Sequence, residues 1–303
     1  MSHNKLLVVV VGPTAVGKTA VTIELAKHFG GEIISCDSRQ FYEEMEIGTA
    51  KPSASERAAV THHMVDSHTI KEDYDAGAFA SDAEILLRDL FVRNDVQFMV
   101  GGSGLYVRAF CDGLDEMPET DPLLREKLNQ ELKEVGLDEL LKELKEVDPV
   151  YYEQVDKKNP QRVVRGLEVC RSTDLPYSHF RQGGKRKEHS FNILKIGLDV
   201  DREKLYQRID KRMDLMIEQG LFEEAKGLYP FRENNALQTV GYKEIFDFID
   251  GKYDKQEAIR LLKRNSRRYA KRQMTWFKKD LDVCWFEPDQ LDGMINVIES
   301  RLT

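Results

Sequence analysis

Cysteine is scarce and scattered in this chain. There are four in 303 residues (Cys36, Cys111, Cys170, Cys284), with no C-x-x-C pair, so neither a disulfide framework nor a zinc site is indicated. No apolar run approaches the roughly 20 residues that a membrane-spanning helix requires. Met1 to Lys5 leads directly into a strand-like run, without a signal peptide. Internal repeats and low-complexity segments are also lacking. Net positive charge is missing too: 45 Lys and Arg against 53 Asp and Glu give −8, which argues against nucleic acid as a partner, although the charge is unevenly distributed. These absences lead us to expect a reduced, cytoplasmic protein with no membrane partner. The 41% hydrophobic content is ordinary for a globular protein. The length suits one large domain, or one domain carrying an insertion.

Against this background, Val8-Val9-Val10-Val11 followed by Gly12-Pro13-Thr14-Ala15-Val16-Gly17-Lys18-Thr19 stands out. Four valines suit a buried parallel strand, and Gly-x4-Gly-Lys-Thr before a helical segment has the spacing of a phosphate-binding loop. Backbone N–H groups of such a loop wrap phosphate oxygens, and the helix start behind it adds partial positive charge. The diphosphate-binding residues expected are Gly12, Thr14, Ala15, Val16, Gly17, Lys18 and Thr19. Lys18 would reach the outer phosphate and Thr19 would ligate Mg²⁺.

A second strand over Glu32–Cys36 ends at Asp37, which either faces the same crevice or serves as a turn residue. Ala76–Arg93 reads as an amphipathic helix. The strand Val96–Val100 runs into Gly101-Gly102-Ser103-Gly104, where an NTPase would often carry an Asp for Mg²⁺. From about Leu114 the composition turns helical and charged until Phe191–Leu198. The expectation is an α/β protein: a P-loop NTPase-like core with a parallel sheet flanked by helices (residues 1–116 and 190–303), plus a helical insertion domain (117–189). Arg181–Lys187 reads as a flexible basic loop. Helical stretches follow over Asp201–Tyr229, Ala236–Ile249 and Ala258–Phe277. The last carries nine basic residues and no acidic one from Ala258 to Lys279, with Arg260, Arg264, Arg268 and Arg272 at four-residue spacing. That pattern predicts one continuous basic face, a local site for a polyanion.

Taken together, these segments resemble the bacterial tRNA dimethylallyltransferases (isopentenyl-diphosphate:tRNA transferases) over nearly the whole chain. The resemblance is carried by Gly12–Thr19, Asp37-Ser38-Arg39-Gln40-Phe41-Tyr42, Ile47–Pro52, His62–Asp66 and Gly101–Tyr106. Asn159–Arg165, Ala236–Glu244 and Arg272–Phe277 complete it. Ser103 stands where the family often has Thr, and Gly166 where Ala is usual. No zinc-finger extension of the eukaryotic kind follows Trp285. The resemblance implies transfer of a dimethylallyl group from dimethylallyl diphosphate to N6 of the adenosine 3′ of the anticodon, by a monomer whose inserted domain grips the anticodon stem-loop. It implies that the loop holds the donor's diphosphate, which fits the missing carboxylate after Val100. It also implies Arg212 as the arginine at the leaving group. By the same resemblance Asp37, Ser38, Arg39, Gln40, Ser103, Gln161, Arg162, Arg165, Gln238 and Tyr242 lie on the tRNA, and the basic face adds Arg264 and Arg268.

The chemistry supports these roles. An exocyclic adenine amine is a weak nucleophile and needs a carboxylate to take its proton, for which Asp37 is the choice. The diphosphate departs only if its growing charge is neutralised, by Lys18, the loop amides, Arg212 and Mg²⁺ on Thr19. Competing readings are an ATP-dependent small-molecule kinase, a prenyltransferase acting on free AMP or ADP, and a non-catalytic RNA-binding protein. The first two leave the basic helix without a purpose, and the third leaves Lys18, Thr19 and Asp37 unused.

Overall fold

The structure is a computed structural model, and it describes residues 5–181 and 187–302. Along the chain, β1 (Leu6–Val11) is followed by α1 (Lys18–Phe29), β2 (Ile33–Ser35), α2 (Ala54–Ala59) and the two-residue β3 (His62–His63). Then come α3 (Ala76–Arg93), β4 (Val96–Gly101) and α4 (Gly104–Cys111). Five helices follow: α5 (Pro122–Glu134), α6 (Leu137–Val147), α7 (Pro149–Gln154), α8 (Pro160–Thr173) and α9 (Tyr177–Phe180). The α/β pattern then resumes with β5 (Asn192–Leu198), α10 (Arg202–Glu218), α11 (Leu221–Leu228), α12 (Lys243–Ile249), α13 (Lys255–Phe277), β6 (Val283–Phe286) and α14 (Leu291–Glu299).

The chain forms two compact units, one built from the segments up to Cys111 and from Glu188 onward, the other from Asp112–Lys187. The first holds a six-stranded sheet of order β3-β2-β4-β1-β5-β6, parallel at every pairing. Its central strand β1 is buried on both faces. Leu7, Val9 and Val11 pack into one apolar layer, and Leu6, Val8 and Val10 into the other. This explains an unbroken apolar run instead of an alternating one. A third cluster, around Met213, Met216, Leu221, Tyr242 and Leu262, joins α10, α11, α12 and α13. The second unit is all-helical among its described residues. Its core is Leu128, Leu140, Leu144, Val163, Val164 and Leu167, and Asp121 and Asn159 cap helices that begin with proline.

Several expectations need correction. The strand at Val96, third in the sequence reading, is fourth in chain order, because His62–His63 adds a short edge strand beside β2. Asp201–Tyr229 breaks at Gly220 (φ 104°), a left-handed turn that separates α10 from α11. Ala236–Ile249 is not one helix. A 3₁₀ turn at Asn235–Leu237 is cut off by Gly241 (φ 107°), whose N–H donates to the Glu244 carboxylate at 2.8 Å, and α12 starts only at Lys243. Most of the basic loop expected at Arg181–Lys187 lies outside the described residues. No described helix is long and apolar enough to cross a membrane.

Candidate active site

The loop after β1 turns where its residue types demand. Gly12 adopts φ 146°, and a Cβ there would come within 2.7 Å of the Leu198 carbonyl oxygen of β5. Gly17, at φ 111°, leads into α1. Two side chains fix the loop from outside. Gln273, buried on α13, accepts from Thr14 N at 2.8 Å and donates to the Gly102 carbonyl at 2.9 Å, tying the β1 and β4 loops together. Arg208 donates to the Val16 carbonyl at 3.1 Å, and Arg212, one turn later on α10, donates to the Thr14 hydroxyl.

A cavity of about 330 Å³ opens here, walled by Thr14, Ala15, Gly17, Lys18, Thr19 and Ala20 and by Asp37, Gln40, Glu56, Gly101, Arg208 and Arg212 among others. Gly12 and Val16 do not line this wall; their carbonyls accept from Lys18 and Arg208. The Lys18 ammonium folds back onto the Gly12 and Pro13 carbonyls at 3.1 and 2.9 Å. Burial pushes its pKa down to about 8, against an opposing pull from Asp37. Burial also lowers the pKa of Arg212, again opposed by Asp37. Three cationic side chains against two carboxylates, Asp37 and Glu56, with the loop amides beside them suit an anion of more than one charge. Cys36, directly before Asp37, is no competitor as a nucleophile. It is fully buried under Gly101, and burial raises its thiol pKa well above the usual range.

A second cavity, of about 200 Å³, shares Thr14, Asp37, Thr49 and Arg212 with the first. Its remaining wall is Ser38, Arg39, Gly48, Met213, Met216, Leu221, Thr239, Val240, Gly241, Ser266 and Tyr269. Ser103 receives the Ser38 N–H at 2.9 Å and lies 3.0 Å from its hydroxyl, holding this turn. Burial first, and Asp37 second, push the Tyr269 hydroxyl up to about 12, so it stays protonated as a donor at neutral pH. The Gly48–Thr49 rim is pinned by Glu224. Its carboxylate accepts from the N–H groups of Glu46, Ile47 and Gly48 at 3.1, 2.7 and 2.9 Å.

The fold therefore brings Lys18, Thr19, Asp37, Ser38, Arg39, Gln40 and Arg212 to two adjoining cavities. Other expected residues fare differently. The Gln40 amide is already committed to the Ala50 carbonyl at 3.0 Å and its oxygen to Ser35 at 2.9 Å, so it shapes the wall. Tyr242 is a correction: its ring is fully buried under Gly48 and its hydroxyl donates to Glu224 at 2.6 Å, out of reach of a ligand. Gln238 is exposed. In the helical unit Gln161 and Arg162 are exposed, while Arg165 is tied to Glu168 at 2.9 Å and Thr120 at 3.2 Å, so its charge is internally matched.

The basic face of α13 also needs revision. Arg267 pairs with Asp210 and Lys263 with Asp214, both on α10, Arg260 pairs with Glu257, and Lys278 with Asp199. Acids thus answer four of the nine charges, three of them from other segments and one, Glu257, from the first turn of α13 itself. Arg264, half-buried, and Arg268, exposed, have no carboxylate partner among the described residues. Sequence reading missed Arg208, Glu224, Tyr269 and Gln273. The spacing of Arg208 and Arg212, one helical turn apart, was the available signal for the first.

Comparison with known proteins gives the chain's relatives. The IPP transferase family profile matches residues 40–280. A tRNA dimethylallyltransferase of Cytophaga hutchinsonii is 52% identical over 99% of this chain and 98% of its own length. Among solved structures, the tRNA isopentenylpyrophosphate transferase of Bacillus halodurans superposes with a TM-score of 0.73 at 38% identity, covering 98% of this chain and 97% of that one. A eukaryotic dimethylallyltransferase acting on tRNA gives 0.77 at 28% identity, over 94% and 74% of the two chains. With the phosphate-binding loop, the sheet order and the paired cavities in common view, the chain belongs to the IPP transferase family.

Proposed function

We propose that this protein transfers a dimethylallyl group from dimethylallyl diphosphate to N6 of the adenosine 3′ of the anticodon in tRNA. The observation that carries this reading is the sharing of Asp37, Arg212 and Thr14 by the two cavities. The donor's diphosphate occupies the first cavity, against the loop amides, Lys18 and Arg212. The adenine occupies the second, between Tyr269 and the Met213–Met216 surface. Asp37, on the wall of both, accepts the N6 proton as the carbon–nitrogen bond forms and the carbon–oxygen bond to diphosphate breaks. The negative charge left on the diphosphate is met by Lys18, Arg212 and the α1 N-terminus.

Mg²⁺ fits this cavity as a companion of the donor. No group of three His, Cys, Asp or Glu among the described residues is placed to hold a metal alone, and Thr19 offers one hydroxyl. A cation that keeps its waters and binds through substrate phosphates matches that set. Its chemistry there is neutralisation of the leaving diphosphate. A base must leave its stack to enter the second cavity. Arg264 and Arg268 on α13, together with the basic start of α8, supply contacts to phosphate, and the helical unit grips the stem.

The direct test is mass analysis of tRNA nucleosides after incubation with the protein, dimethylallyl diphosphate and Mg²⁺, with no ATP present. Prenylated adenosine is expected. A strict requirement for ATP with ADP as a product would replace this reading with a kinase. Prenylated AMP with unmodified tRNA would point to the free nucleotide as acceptor.

A further inference from the structure

Trp276 lies on the last turn of α13 and is 38% exposed. Its ring rests against Gly104, where a Cβ would come within 2.3 Å of its Cδ1, so a glycine is required for the indole to lie there. Gly104 directly follows Ser103, which holds the Ser38 turn of the second cavity. Beside it on α4, Leu105 is 50% exposed, extending an apolar surface into solvent. The surroundings are cationic. Arg272 and Lys279 stand four before and three after Trp276, and Arg108 one turn after Leu105. All three are exposed and without a carboxylate partner among the described residues. An exposed indole rimmed by exposed cations is the makeup of a single-strand nucleic-acid platform.

The spacing fits as well. Tyr269 of the second cavity lies seven residues earlier on the same helix, about 10 Å along its axis. Stacked nucleotides advance about 3.4 Å each, so that distance spans about three steps of a stacked strand and fewer of an unstacked one.

We propose that Trp276 is a stacking platform for a nucleobase flanking the target adenosine, one to three nucleotides away. The inference rests on the reading of tRNA as acceptor. In it Trp276 positions the strand so that one base can leave the stack and enter the cavity, while the cations beside it hold the intervening phosphates. Stacking tolerates any base, so this subsite contributes affinity and register and discriminates little between sequences.

The chain has two tryptophans, so a Trp285→Phe variant reports Trp276 fluorescence alone. Titration with an unlabelled anticodon stem-loop RNA should quench its emission by about half or more, with saturation matching binding measured separately by anisotropy. Trp276→Ala should raise the KM for tRNA about tenfold or more and leave the KM for dimethylallyl diphosphate unchanged. Trp276→Phe, which keeps a ring, should stay within about threefold of the parent. If Trp285→Phe does not fold, the ¹⁹F resonance of fluorotryptophan at position 276, assigned by difference with Trp276→Phe, gives the same readout. Saturable RNA binding with an unperturbed Trp276 signal overturns the proposal. So does a Trp276→Ala protein that melts earlier yet keeps its tRNA KM, since the ring then only packs on α4. Absence of any RNA binding by anisotropy defeats the acceptor reading itself, and the platform with it.

Discussion

The cavity at the phosphate-binding loop takes six of its wall residues from one contiguous stretch, Thr14–Ala20, whereas its neighbour is assembled from six separate segments. The first is lined by backbone and charge: loop amides, Lys18, Arg208, Arg212, Asp37 and Glu56. Apart from the shared Asp37 and Arg212, the second is lined by two methionines, Leu221, Val240, Tyr269 and small polar groups, with Arg39 as its added charge. A diphosphate needs charge at fixed positions, which a single loop can supply. A purine ring needs an apolar slot with a few polar groups, which only tertiary packing can build. Asp37 belongs to both walls, and the comparison is most easily broken there.

Asp37→Ala carries the largest expected effect. If Asp37 takes the proton passed between the two sites, kcat should fall by about two to four orders of magnitude. Donor binding should change little, because the loop holds the diphosphate. Equilibrium donor binding and single-turnover rates separate these outcomes. Lost donor or Mg²⁺ binding with intact chemistry in preloaded complexes would move Asp37 wholly into the first cavity.

Lys18 tests the same division through pH. Burial holds its ammonium at about 8 in the free protein, below an ordinary lysine. The positive charge is present below that pH and is lost as pH rises through it. A bound diphosphate favours the charged form, so donor binding above pH 8 takes up a proton, and affinity should fall toward a limit of about tenfold per pH unit. Donor KM measured from pH 7 to 10 should rise past 8, whereas tRNA KM should not bend there on account of Lys18. Lys18→Ala should raise donor KM at pH 7 and abolish the bend.

The asymmetry between the cavities also decides what could be read from sequence. Local chemistry is written in local spacing: Gly12–Thr19 and the apolar run of β1 announce the loop, its strand and the class of ligand. The Asp37 crevice follows from strand order. The second cavity is not written that way. Tyr269 looks like one residue of a basic helix, and Gln273 like a neutral one, until α13 is laid across the β1 and β4 loops. The charges of α13 mislead for the same reason, since Asp210 and Asp214 that answer Arg267 and Lys263 are over fifty and nearly fifty positions away in sequence. Resemblance supplied Tyr242 as an RNA contact, but which way a side chain points depends on the Gly241 turn and on Glu224, neither of which spacing reveals.

A smaller effect is expected at the rim. Arg264→Ala with Arg268→Ala removes two charges that no described carboxylate answers, so tRNA binding should weaken, most at low salt. The slope of log affinity against log salt should flatten by about one to two units, at roughly 0.7–0.9 per phosphate contact. Such contacts position RNA without reading its sequence, so the choice of adenosine should not change. An unchanged slope in a folded protein would leave the polyanion grip to the helical unit.

Tyr242→Phe should have the smallest effect, and it separates a wall from a contact. The hydroxyl donates to Glu224 at 2.6 Å, and the same carboxylate receives three backbone N–H groups of the Gly48 rim. Removing one donor of four leaves the carboxylate largely satisfied, and the phenylalanine ring still fills the space under Gly48. The loss should therefore be about 1 kcal/mol of unfolding free energy, near the net worth of one hydrogen bond, as read by urea denaturation. The KM for tRNA should stay within about twofold, because no atom of Tyr242 reaches the second cavity. An RNA contact would give the opposite pattern, a raised KM at unchanged stability. That result would require the Gly48 rim to open when tRNA binds, and Glu224 to release its backbone partners as it does so.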